Sequence, residues 1–344
     1  VVIRDAIIAV TGGKNLEQQE AAAVMEEIMT GTATPAQIAA FLTALRLKGE
    51  TYTEIAGMAE VMQMKATHVP YEGIAIDTCG TGGDGLKTFN ISTTTAFVVA
   101  GAGLTVAKHG NRAMSSSAGS ADVLEALGAK IDLDVADVVR CMQEAGIGFM
   151  YAPNFHPAMR FAGPVRREIG IRTVFNLLGP LTNPARVRHQ VIGVPSTLIA
   201  QKIAYALSCL DITHALVVHG DGGMDELSLS GPALYYEVRP NQEPERHIVD
   251  PDELGLERAP REAMAGGTAE ENATITRAIL EGKEQGPKRD IVLLNAAAAL
   301  LAGDLVDDIA TGMELARKSL DDGHAFARLE TLINVSNATA AAGG

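Results

Sequence analysis

Apolar residues recur at helical spacing through the first 65 positions. Ala21, Val24, Met25 and Ile28 stand at i, i+3, i+4 and i+7, as do Ile38, Phe41, Leu42 and Leu45, and then Ile55, Met58, Ala59 and Met62. Each set predicts one apolar stripe of an amphipathic helix. Thr34-Pro35-Ala36-Gln37 has the pattern of a capping box with proline at the first helical position, and Gly31 and Gly49 stand where C-terminal glycines belong. This stretch reads as a small helical bundle with few polar groups suited to chemistry.

The period changes at Ile74. Ile74-Ala75-Ile76 reads as a strand, then a glycine-rich loop, then a helix over about 91–101; Leu104-Thr105-Val106-Ala107 is the next strand, followed by a polar loop and a helix over about 119–127. Short apolar runs return at 147–151, 191–194 and 215–218, with helical patterns between most of them. Strand, loop and helix in alternation predict an α/β fold with a mainly parallel sheet flanked by helices. Ligands of such sheets bind at the carboxyl ends of the strands, which is where the polar loops fall. The weaker pattern from Pro232 to Val249 suits antiparallel strands, helices return over about 269–332, and the small-residue tail from Ala338 is expected to be poorly ordered. The expected division is a helical domain over 1–70, joined by a contribution from about 160–185, and an α/β domain over 71–344.

Composition narrows the function. A chain of 344 residues with 47% apolar and 20% charged residues can build two packed domains. Lys and Arg number 28 against 42 Asp and Glu, a net charge of −14, so a nucleic-acid partner is not expected, because phosphate-backbone affinity needs clustered cations. Trp is absent and aromatics are 4%, which argues against base-stacking platforms. The three cysteines, Cys79, Cys141 and Cys209, form no C-x-x-C pair and read as reduced thiols of a cytoplasmic protein. No membrane span is expected: the longest apolar stretches, 95–107 and 291–302, are too short, and the second is broken by Asn295.

Four segments carry candidate chemistry. Asp77-Thr78-Cys79-Gly80-Thr81-Gly82-Gly83-Asp84-Gly85 has four glycines in six positions, which lets backbone N–H groups converge on an anion. The helix that begins near Asn90-Ile91-Ser92-Thr93 points its positive end at the same space. It is neither a Walker A loop nor a G-x-G-x-x-G turn, and alone it is equally well a tight strand-to-helix turn. Lys108-His109-Gly110-Asn111-Arg112-Ala113-Met114-Ser115-Ser116-Ser117 follows the next strand and should face the same mouth, so the two loops together suit a ligand with several phosphate oxygens. Asp225-Glu226, after the apolar run to Val218, is a natural Mg2+ site, because that ion takes a few protein oxygens and leaves the rest to water and phosphate. His219 nearby reads as a packed histidine, imidazole being a poor ligand for so hard an ion. Gly163 to Gly170 carries Arg166 and Arg167, which point in different directions on a helix; at most one faces a site, where it would suit a carboxylate.

In this order, the segments Gly80 to Asp84, Asn90 to Thr93, Lys108 to Ser116 with Gly119-Ser120-Ala121-Asp122, Arg166 with the run Phe175 to Pro184, and Asp225-Glu226 resemble the anthranilate phosphoribosyltransferases, a class similar to the pyrimidine nucleoside phosphorylases. The resemblance spans about 77–231 without departure at these positions. It implies a helical domain and a larger α/β domain with the site at their hinge, a homodimer, and transfer of the ribose 5-phosphate of phosphoribosyl pyrophosphate (PRPP) to the amine of anthranilate with Mg2+, an early step of tryptophan biosynthesis. It assigns PRPP to Gly80, Gly83, Asp84, Thr88, Asn90, Ile91, Ser92, Thr93, Lys108, His109, Gly110, Asn111, Arg112, Ala113, Met114, Ser115, Ser116 and Ser120. Anthranilate falls to Gly80, Asn111 and Arg166 with His109 nearby, and the metal to Ser92, Asp225 and Glu226. The rival readings are a pyrimidine nucleoside phosphorylase, which would not need the Asp225-Glu226 pair, and a nucleic-acid-binding paralogue, which the acidic balance disfavours.

Overall fold

The computed structural model describes residues 2–82, 85–113 and 117–338. Gly83, Asp84, Met114, Ser115 and Ser116, all expected at the PRPP site, lie outside the described residues, as does the tail from 339.

Four helices open the chain: α1 (Val2–Thr11), α2 (Gln18–Met29), α3 (Pro35–Lys48) and α4 (Tyr52–Lys65). Every residue of the three predicted stripes is buried. Thr34 caps α3 by accepting from the Gln37 backbone N–H, and the Gln37 side chain accepts from the Thr34 N–H in return. Gly31 and Gly49 follow α2 and α3 at φ 77° and 89°, where a side chain would be strained.

The α/β part runs β1 (Ala75–Gly80), α5 (Ile91–Gly101), β2 (Thr105–Gly110), α6 (Ser120–Ala126), α7 (Val135–Ala145), β3 (Ile147–Tyr151), α8 (Ala152–Phe155), α9 (Met159–Ile169), α10 (Phe175–Leu178), β4 (His189–Gly193), α11 (Thr197–Ser208), β5 (His214–His219), β6 (Ala233–Val238), β7 (Glu245–Val249), α12 (Ala269–Leu280), α13 (Pro287–Ala302), α14 (Ile309–Asp321) and α15 (His324–Ala338). Among the described residues the strands form one sheet in the order β3-β2-β1-β4-β5-β6-β7. The first five are parallel, and β6 and β7 add antiparallel strands at one edge. Strands β1 and β2 run further than their apolar stretches: β1 continues from Ile76 to Gly80 and β2 from Ala107 to Gly110. Hydrophobicity marks only the part of a strand inside the core, whereas these polar ends are held by pairing to β4 and β3.

Alternation along the central strands sorts side chains onto two apolar cores. Val191, Leu216 and Val218 face a core built with α5, α7 and α12 to α15. Ile192, Val194, Ala215 and Val217 face the other, which also takes the apolar stripes of α1 to α4, Ala162 and Val165 of α9, Phe175, Leu177 and Leu178 of α10, and α11. Each fully buried Leu, Ile or Val contributes about 1.5–3 kcal/mol of transfer free energy. The bundle, α9 and α10 are therefore one apolar unit seated against the sheet. From Ile291 to Ala302 helix α13 is apolar all round because that stretch is buried all round. The one polar residue of that stretch, Asn295, donates to the Leu227 and Ile291 carbonyls and accepts from the Leu227 N–H, all at 2.9 Å. Among the described residues no helix is long and apolar enough to cross a membrane.

Candidate active site

The chain leaves β1 for β2 on one side and β4 for β5 on the other, so the order reverses between β1 and β4, where open α/β sheets form their ligand crevice. Gly80 and Gly193 are paired in register at the ends of these two strands. A Cβ on Gly80 would lie 2.5 Å from Asp225 Oδ2, and one on Gly193 would overlap the Asp225 carbonyl. Both positions need glycine because the loop after β5 crosses directly over them. That loop is tied down: the Thr81 N–H donates to the Gly193 carbonyl (2.8 Å) and the Gly82 N–H to Asp225 Oδ2 (3.0 Å). Arg172, from the segment after α9, donates to the Gly82 carbonyl (3.0 Å). The structure thus brings the first glycine loop, the Asp225-Glu226 pair and the α9 end together.

The second loop leaves β2 beside them. Ser120 Oγ and the Ala121 N–H converge on the Asn111 carbonyl at 3.4 and 3.3 Å, and a Cβ on Gly110 would collide with Ser120 Oγ. Asp122 accepts from the Ala113 and Gly119 N–H groups, both at 2.9 Å, and from Arg112 Nη1 at 3.0 Å, which hold its carboxyl below the usual range. Arg112 also reaches Glu125 at 2.5 Å and the face of Tyr151. Its guanidinium is therefore turned to acids of α6.

At the start of α5, Asn90 donates to the Ala118 carbonyl (3.2 Å) and accepts from Asn272 of α12 (2.9 Å), which locks the second loop against the helix N-terminus. Ile91 is core, and the Ser92 carbonyl accepts from Thr78 Oγ1 (3.3 Å). The Thr81 and Thr93 hydroxyls are buried without a hydrogen-bond partner among the described residues. Thr88 forms an antiparallel bridge with Ala265. Lys108 is buried and its Nζ donates to the Thr78 carbonyl (2.5 Å), so it stands beneath the loops.

Arg166 is half-buried with its guanidinium over the Phe175 ring, 5.0 Å from the centroid, and has no ion-pair partner among the described residues; Arg167 is exposed. Burial lowers the Arg166 pKa, but an arginine stays charged. His109 and His156 meet Nε2 to Nε2 at 3.1 Å, and burial holds them at about 3 and about 4. Both are neutral at pH 7, so one Nε2 donates and the other accepts. His219 is packed as expected, its Nδ1 2.9 Å from the Val194 carbonyl.

Sequence reasoning missed Asp77 as a buried group, Asn183, His156 and Arg172. No spacing rule marks them; the only signal was polar residues inside otherwise apolar or glycine-rich runs. No cluster of three or more His, Cys, Asp or Glu suited to a metal occurs among the described residues. Asp225 and Glu226 nevertheless fit Mg2+, whose sites commonly use one or two carboxylates and draw the remaining oxygens from phosphate and water.

Fold and site together define a class, the glycosyl transferase family: its helical bundle domain matches residues 4–66 and its a/b domain residues 72–326. An anthranilate phosphoribosyltransferase from Chloroflexus aurantiacus is 68% identical over 334 residues, 97% of this chain and 98% of that protein. The crystal structure of the enzyme of that name from Thermus thermophilus superposes with a TM-score of 0.91 at 44% identity, covering 97% of this chain and 99% of that one. The Saccharomyces cerevisiae enzyme in complex with PRPP and Mg does so with a TM-score of 0.88 at 27% identity, covering 98% of each. The chain belongs to the anthranilate phosphoribosyltransferase family.

Proposed function

We propose that this chain transfers the 5-phosphoribosyl group of PRPP to the amine of anthranilate, releasing pyrophosphate and giving N-(5-phosphoribosyl)anthranilate, a step of tryptophan biosynthesis. The observation that carries the reading is the meeting of Gly80, Gly193 and Asp225 at the switch point, with the α5 N-terminus alongside. Backbone N–H groups there suit phosphate oxygens, and the helix end adds a favourable field. Gly80, Thr88, Asn90 to Thr93, Lys108 to Ala113 and Ser120 are read as the described part of the PRPP site, with Gly83, Asp84, Met114, Ser115 and Ser116 completing it. Lys108 and Arg112 act in it through the loops they brace.

Asp225 and Glu226, with Ser92, would hold Mg2+, which neutralises charge on a departing diphosphate. The chain's own residues do the rest. Arg166 has a charge that no acid among the described residues pairs, and it would grip the anthranilate carboxylate and aim the amine at C1, with Gly80 and Asn111 beside it. An aromatic amine is neutral at pH 7 and needs placement more than a base. The neutral His109–His156 pair fits that need: it offers a hydrogen-bonding wall without a competing cation. Closure of the helical unit on the α/β unit about a hinge would exclude water from the ribosyl cation. Exposed Ile8 and Leu47 on α1 and α3 are read as part of the face that seats a second copy. The chain is read as a cytoplasmic enzyme.

The test is loss of anthranilate fluorescence with PRPP and Mg2+, run beside orotate, nicotinate and pyrimidine nucleosides. Consumption of anthranilate alone is expected; turnover of a nucleoside with free phosphate instead would overturn the reading.

A further inference from the structure

Strands β1 and β2 are neighbours, yet their ladder covers only Ala75↔Thr105 and Ile76↔Val106. On their outer sides the pairing continues to Gly80↔Gly193 and Gly110↔Tyr151. The two strands therefore part just below the loops they carry, and the gap is closed by side chains. Asp77, fully buried, accepts the His109 N–H on Oδ1 (3.3 Å) and Asn183 Nδ2 on Oδ2 (2.8 Å). The other hydrogen of Asn183 Nδ2 goes to the Ala107 carbonyl (2.8 Å), and Lys108 Nζ reaches back to the Thr78 carbonyl. Backbone groups of both strands that would have paired with each other are satisfied by Asp77, Asn183 and Lys108 instead.

We infer that Asp77 is a positioning residue for PRPP: its buried carboxylate, braced by Asn183 and facing the Lys108 ammonium, holds β1 and β2 at the separation that brings the two phosphate loops to one mouth. This rests on the function proposed above. Asp77 is sealed beneath the loops and acts through Thr78, Lys108 and His109. The charged and titratable groups around it are Lys108 on β2 and Cys79 on its own strand, whose thiol it helps push up. Asn183 supplies a neutral amide, and His109 supplies its backbone N–H. Burial raises the Asp77 carboxyl to about 6 against the pull of Lys108 and its hydrogen bonds. Protonation therefore falls within reach of an assay, and it would remove the charge that faces Lys108.

The experiment compares wild type, Asp77→Asn and Asn183→Ala, measuring kcat and both KM values from pH 5 to 8. In Asp77→Asn the KM for PRPP should rise at least tenfold, while the KM for anthranilate, which His109 alone of these residues serves, rises by a clearly smaller factor of about threefold or less. The acid limb of kcat/KM for PRPP near pH 6 should vanish in Asp77→Asn. In Asn183→Ala it should move to higher pH, because losing a donor to the carboxylate raises its pKa. If Asp77→Asn does not fold, the direction of that Asn183→Ala shift decides. A limb identical in all three proteins belongs to the substrate's own phosphate and overturns the inference. Equal rises in both KM values with a lowered melting temperature mean a merely structural role and overturn it as well. Wild type inert with PRPP and anthranilate would instead sink the proposed function.

Discussion

The two ends of the central sheet bury titratable side chains in opposite ways. At the amino ends of the strands, His214 opens β5 fully buried, with Nδ1 2.8 Å from Asp304 Oδ1 and Nε2 3.1 Å from Glu237 Oε1. Arg239 bridges the same two carboxylates at 2.9 Å each, and His189 at the start of β4 meets the Ala302 carbonyl at 2.8 Å. Each carboxylate there faces Arg239 and a histidine, although the approach of His214 Nε2 to Glu237 falls short of hydrogen-bond geometry. At the carboxyl ends, among the described residues, Arg166 meets an aromatic face and no acid, the Thr81 and Thr93 hydroxyls have no partner, and glycines stand where side chains would have closed the space. A network of paired charges holds strands together. A charge left without an opposite charge is kept for a ligand, and the fold carries one arrangement at each end of a single sheet.

The contrast breaks most readily at the acidic pair. If Asp225 and Glu226 serve Mg2+, Asp225→Asn with Glu226→Gln should lower kcat by about a thousandfold, near 4 kcal/mol of transition-state stabilisation. It should also move the midpoint of a Mg2+ titration upward; an unchanged titration would remove both residues from the metal site. The next largest effect belongs to Arg166. Charge-assisted hydrogen bonds to a carboxylate are worth about 1.5–3 kcal/mol, so Arg166→Ala should raise the KM for anthranilate about tenfold to a hundredfold. The KM for PRPP should stay within about threefold, since no phosphate role falls to this residue; equal losses for both substrates would contradict the assignment.

How much of this was legible in the sequence follows from the same contrast. The helical stripes, the α5 helix at 91–101 and β3 at 147–151 were readable because periodicity reports burial, and these elements are buried on a regular face. The glycine loops and Asp225-Glu226 stood out as candidates because the pattern that marks them is local in sequence, and the first loop and Asp225 do meet. The polar halves of β1 and β2 were not, because Asp77 to Gly80 and Lys108 to Gly110 are strand by pairing and not by hydrophobicity. Asn183 meeting Asp77 and His156 meeting His109 join residues 106 and 47 positions apart. No window along the chain contains both partners. Arg112 and Lys108 were readable as cations near the loops, but not as cations bound inward to Asp122, Glu125 and the Thr78 carbonyl.

The charge-paired end yields a smaller effect of a different kind. Removing the ring in His214→Ala leaves Asp304 and Glu237 facing each other with Arg239 alone between them. Both carboxylates are partly solvated, so the loss of stability should be about 2 kcal/mol in urea unfolding, below the range for a fully buried pair. The kcat/KM per folded molecule should stay within twofold. A large loss of activity at unchanged stability would mean that the two ends are coupled, and the division drawn above would fail.

The smallest effect is in pH, and its sign separates the groups at the site. His156 is held at about 4 and His109 at about 3, below their ordinary 6.5. Between those values the unfolded chain binds protons that the folded chain refuses. Their stabilising contribution is therefore complete above pH 6.5 and is lost as pH falls toward 4. Asp77, raised from 3.8 to about 6, acts the other way: it retains a proton in the folded chain between pH 3.8 and 6, so its contribution grows as pH falls and is lost as pH rises through 6. The two histidines outweigh the one carboxylate, and wild type should lose stability on going from pH 7 to 5.5. His156→Gln cannot charge, so it should be spared about 1 kcal/mol of that loss. Urea midpoints at the two pH values read the difference directly. Parallel losses in the two proteins would mean that His156 titrates as a solvated histidine, and the neutral pair assigned to the anthranilate side would have to be given up.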